Sequence, residues 1–71
     1  MDRIITEIDI AIGLYNRGLI SVEYCTRRAT AAIEQGTEDI PDINTRIKAQ
    51  NALYKRFFYK MHKTIIRTER R

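Results

Sequence analysis

After Pro41 this chain runs for 30 residues, to Arg71, without another glycine or proline. Those are the two residues that most readily end or kink a helix, so the backbone of that stretch carries no built-in stop. Its apolar residues Ile43, Ile47, Tyr54, Phe57, Phe58, Met61 and Ile65 share one broad face at helical spacing. The pattern predicts one helix of up to about 28 residues, roughly 42 Å long, lying within about residues 40–70. Whatever precedes it must fold against that rod.

The preceding residues read as a helical hairpin. Ile4, Ile8, Ala11, Ile12 and Tyr15 recur at spacings of three and four, which predicts a first helix over about residues 2–17. Ile10 and Leu14 form a second, narrower stripe on it. Gly18 stands where a left-handed C-cap is needed. Ser21 follows as an N-cap, with Glu23 in the first turn, where the helix dipole favours a carboxylate. A second helix is expected over residues 21–35, with the mostly small stripe Val22, Cys25, Ala29, Ala32 and Ile33, and with Gly36 ending it. Small residues let two helices approach closely, so helices one and two should pair antiparallel. Pro41 suits the first turn of the third helix, and Asp39 or Asp42 can cap it. The expected fold is all-α: one small domain, residues 1–71, with an N-terminal antiparallel hairpin and one long C-terminal helix.

A hairpin of two helices of about 15 residues, roughly 22 Å each, is too short to cover the whole apolar face of the third. Tyr54, Phe57, Phe58, Met61 and Ile65 are therefore expected to lie partly bare and to form a homo-oligomer interface. The alternative is a bent third helix whose end folds back over the hairpin.

At LYNRGLISVEYCTRR, residues 14–28, the chain resembles the SHOCT family of short helical hairpins. Leu14, Tyr15, Gly18, Leu19, Ile20, Ser21, Glu23, Tyr24 and Arg27 match that pattern in kind. Tyr24 falls one residue nearer the serine than the family's aromatic, and the hairpin opens the chain instead of closing it. The resemblance covers about a third of the sequence and implies an interaction or oligomerisation hairpin without catalysis.

Charge is distributed unevenly. Residues 1–42 carry eight acids and four bases, whereas residues 43–71 carry nine bases and one acid, Glu69. Arg56, Lys60, Lys63, Arg67 and Arg70 form one stripe at spacings of four and three, set opposite the apolar face, with Lys48 and Lys55 on its flank and Tyr59 at its edge. A purely solvated face usually mixes signs, so the stripe is a candidate for phosphate contact by Arg56, Lys60, Lys63, Arg67, Arg70 and Lys55, with Tyr59 available for stacking. Nucleic acid is the leading expected partner, which makes the chain a nucleic-acid-associated regulator; the rival function is an adaptor or inhibitor that binds and masks a larger protein through the same helix. The alternatives are an acidic protein surface or the acidic hairpin of another subunit, a small phosphorylated ligand held between subunits, simple solvation, and a membrane surface. The last fits poorly, because the apolar face is also the core-facing side.

Constellations for chemistry are sparse. Ser21 is the only serine, His62 the only histidine and Cys25 the only cysteine. No Cys or His pair has metal-ligand spacing, and Ser21 already has a capping role. No catalytic residue, metal or cofactor is expected, and Glu38, Asp39 and Asp42 read as capping acids before they read as a cation site. The first 20 residues lack a basic start followed by an apolar run, and no stretch approaches a membrane span. With a single unpaired cysteine, this predicts a cytoplasmic protein.

Overall fold

The structure, a computed structural model, describes residues 2–69 and the side chains of residues 3–67. It contains three helices and, among the described residues, no strand: α1 (Asp2–Asn16), α2 (Val22–Thr37) and α3 (Ile43–Glu69). The chain goes up, down and up again. Gly36 in the last turn of α2 lies against Ile4 in the first turn of α1, which makes those two helices antiparallel. Cys25 meets Met61, and Thr37 meets Gln50, so α2 and α3 are antiparallel too. The all-α hairpin-plus-long-helix architecture is the one that the sequence pattern predicts.

Each boundary has a local cause. Gly18 adopts φ 76° and closes α1 with a Schellman pair: the Leu19 amide donates to Leu14 carbonyl at 3.0 Å, and the Gly18 amide to Tyr15 carbonyl at 2.9 Å. Ser21 caps α2, its hydroxyl oxygen accepting the Tyr24 amide at 3.1 Å. Asp42 caps α3 by accepting from both the Thr45 amide at 2.9 Å and the Thr45 hydroxyl at 2.6 Å. Those two bonds hold the Asp42 carboxyl below its ordinary range, the hydroxyl contributing more than the amide.

Two expectations about these ends need correction. Gly36 does not end α2; it sits inside the last turn because a Cβ there would overlap the side chain of Ile4. Pro41 belongs to the linker, two residues before α3 begins. Of the two acids expected as caps of the third helix, Asp42 is the one that takes the role.

The core is one cluster drawn from all three helices: Ile4, Ile8, Ala11 and Ile12 from α1, Cys25, Ala29 and Ile33 from α2, and Leu53, Phe57 and Met61 from α3. Ala32 is buried beside it. Val22, expected on the inner stripe of α2, is exposed, as is Ile10 on α1. Thr37 is fully buried, and its hydroxyl is used twice. It donates to Ile33 carbonyl at 2.7 Å and accepts from Gln50 Nε2 at 3.0 Å, tying the end of α2 to α3. Arg46 then clamps the linker, its Nε and Nη2 both donating to Ile40 carbonyl at 3.1 and 2.9 Å.

These ties decide which part of α3 is covered. The hairpin does not leave Phe57 and Met61 bare: they are 1 % and 4 % exposed, and lie in the core of the single chain. Two of the five residues expected at an oligomer interface are thus already used within the monomer. Tyr54 and Ile65 are half-buried at the margin of that core, and Phe58 is exposed. The uncovered end is the other one. Ile43 and Ile47 are exposed on the first two turns of α3, which project past the level of Thr37.

Candidate anion-binding face

The basic side chains of α3 are fixed by helix geometry alone, since no turn or loop intervenes between Ile43 and Glu69. Arg56, Lys63 and Arg67 point away from the core and are exposed. Among the described residues no carboxylate lies within ion-pair distance of any of the three. From Arg56 to Arg67 is eleven residue steps, about 16 Å along the axis.

Lys60, placed in the same stripe by its spacing, behaves differently. Its Nζ lies 2.7 Å from Asp9 Oδ1 on α1, and the two side chains are 37 % and 43 % exposed. The acidic hairpin therefore takes up one charge of the basic helix internally. An ion pair this open contributes roughly 0–1 kcal/mol, so its main effect is on the availability of the cation. Asp9 was legible as an acid beside Ile8 on the inner stripe of α1, but its partner depends on the parallel packing of α1 and α3.

Tyr59 is exposed, and the Lys63 ammonium sits 4.6 Å from its ring centroid. This cation–π contact orients Lys63 along the helix surface. Lys55 and Lys48 are exposed on the neighbouring border of α3, with His62 near them on the same side of the helix. Arg70 lies outside the described residues.

The other polar groups do not converge on a reaction centre. Ser21 Oγ is engaged by the Tyr24 amide and shares no hydrogen bond with His62. Cys25 is buried, its thiol donating to Met61 Sδ at 3.8 Å; burial pushes its pKa up, against a smaller lowering by Arg28. Among the described residues no group of three His, Cys, Asp or Glu is arranged to hold a metal ion, and no helix is long and apolar enough to cross a membrane. An open cleft between α1 and α2 is rimmed by Arg3, Glu7, Gln35 and Asp39, charges of both signs, and no described buried side-chain polar atom is left without a hydrogen-bond partner there.

Sequence reasoning missed Leu53, Thr37 and Gln50. Leu53 precedes Phe57 by one helical turn on the buried row, and that spacing was the available signal. The Thr37–Gln50 bond had none, because it joins two polar residues of separate helices. No family model, curated protein or solved structure matches this chain.

Proposed function

We propose that the protein is a non-enzymatic, cytoplasmic binding protein whose third helix grips the phosphate backbone of a nucleic acid. The observation that carries this reading is the exposed row Arg56, Lys63 and Arg67, unanswered by any described carboxylate, on a helix with no acid between Asp42 and Glu69. A solubilising face alternates signs, and cations placed to complement a helix dipole are confined to the last turn. This row begins at Arg56, near the middle of α3. Lys and Arg on such a ridge give salt-sensitive affinity that does not depend on sequence, with a log–log salt slope of about 0.9 per phosphate on duplex DNA.

Titration of labelled duplex and single-stranded DNA and RNA at two salt concentrations tests it. Binding should weaken with salt, with a slope on duplex DNA of about −3 from these three cations. Arg56→Ala, Lys63→Ala and Arg67→Ala together should remove that slope and leave helicity unchanged, because none of the three touches the core. Absence of binding at low salt, or undiminished binding by the triple variant, would overturn the reading and direct the face toward an acidic protein.

A further inference from the structure

The basic row is not the only unpartnered surface of α3. The bonds Thr37–Gln50 and Cys25–Met61 place α2 on one side of the buried row of α3, and the Lys60–Asp9 pair places α1 on the other. At 100° per residue, Ile47, Tyr54, Phe58 and Ile65 form a second row, turned about 80° from the buried one toward the α2 side. Ile47 is 49 % and Phe58 59 % exposed, and Tyr54 and Phe58 stack with ring centroids 6.4 Å apart. This ridge has two unlike borders. Beyond it on α3 stand Lys48 and Lys55. On the adjoining flank of α2, by the same wheel, stand Thr30, half-buried, and the exposed Glu34.

We propose that this ridge is the interface of a parallel, two-fold dimer, in which α2 and α3 of one copy and α2 and α3 of the other close into a four-helix core. Charge selects both the occupant and the direction. A two-fold axis parallel to the helices brings the lysine border of one copy onto the α2 flank of its partner, with Lys55 within about one turn of the partner's Glu34. By the symmetry this contact occurs twice. Arg27, the base on that flank, falls at the level of Tyr59, where the lysine border carries no charge. An antiparallel pair would instead set the Lys48 and Lys55 borders against one another, with no acid between Asp42 and Glu69 to answer them. Phe57 and Met61 take no part, since each monomer has already buried them.

Light scattering across a wide concentration range tests this on the whole chain, whose monomer mass is 8.4 kDa. Wild type should double in mass as concentration rises. Phe58→Asp should stay monomeric with unchanged circular dichroism. Lys55→Glu should weaken the dimer roughly tenfold or more, because two symmetric pairs turn from attraction to repulsion. Adding Glu34→Lys to it should restore most of the loss. A wild type monomeric throughout overturns the proposal, and so does a charge swap that rescues nothing. Tighter association of Lys55→Glu alone would show the antiparallel arrangement, and would overturn it as well.

Discussion

Phe57 and Phe58 are adjacent and chemically identical, yet the structure gives them opposite duties. Phe57 is 1 % exposed in the cluster that joins all three helices, whereas Phe58 is 59 % exposed. Truncating a fully buried Phe to Ala removes its transfer energy and leaves a cavity, which together cost about 3–5 kcal/mol. A chain of this length has a total stability of roughly 4–10 kcal/mol, so Phe57→Ala should be barely folded or unfolded in water. Phe58 keeps only about two-fifths of its surface covered, together with ring contacts to Tyr54 and Phe57. Its truncation should cost about 1 kcal/mol. With a urea m-value of about 1 kcal/mol/M, Phe58→Ala should lower the midpoint by about 1 M. Phe57→Ala should lower it by at least 3 M, or leave no folded baseline. The assay is urea unfolding followed by circular dichroism, on samples dilute enough to be monomeric. Equal losses at the two positions, or a larger loss at Phe58, would mean that α3 is rotated from the orientation described and would refute the assignment of its buried row.

Gly36→Ala should gain about 1 kcal/mol of helix propensity and lose roughly 1–3 kcal/mol by displacing Ile4. The net effect is destabilising in wild type and turns stabilising in an Ile4→Ala background, which a double-mutant cycle reads directly. Cys25 is buried with a raised pKa, so its thiol should resist disulfide reagents in the native state and react at a rate set by unfolding; fast labelling under native conditions would contradict its place in the core. The carboxyl of Asp42 titrates lower when folded, so the cap is fully present above the ordinary aspartate pKa of about 3.9 and is lost as pH falls through the lower folded value. Asp42→Asn, which keeps an acceptor but cannot titrate, should flatten that part of the stability–pH curve in acid denaturation.

The helices and their order were legible because their punctuation is local. Gly18 takes the one positive φ, and Ser21 the one cap, that a hairpin of this length requires, and both effects act within four residues. The orientation of α3 was not legible, for a physical reason. Two apolar rows run along it, about 80° apart: Leu53, Phe57 and Met61 on one, Ile47, Tyr54, Phe58 and Ile65 on the other. Spacing alone merges them into one broad face. The choice between them falls to contacts made across the chain, namely Thr37 with Gln50 and Arg46 with Ile40. Gly36 misleads for the same reason. A glycine near a helix end reads as a stop, and here it is a point of close helix approach whose neighbour, Ile4, lies 32 residues away in the sequence.

The division of charge constrains what the two unpartnered faces of α3 can do together. If the acidic hairpin served to neutralise the basic helix, their contact would be laced with ion pairs. Among the described residues a single one, Lys60–Asp9, crosses it. Apart from Arg46, which clamps the linker, the remaining described cations of α3 point outward as two groups: Arg56, Lys63 and Arg67 opposite the apolar ridge, and Lys48 and Lys55 along its border. In the proposed dimer, Lys55 of the second group meets an acid of the other copy. The first group then faces away from the dimer axis on both copies, so that the two rows lie on opposite outer sides of the four-helix core. A dimer of that shape cannot clamp one duplex between its basic rows. It can hold two segments of nucleic acid apart and side by side. Bridging of two labelled duplexes should therefore require Phe58, which binding of a single duplex should not. If Phe58→Asp abolished both equally, the two faces would not be separate.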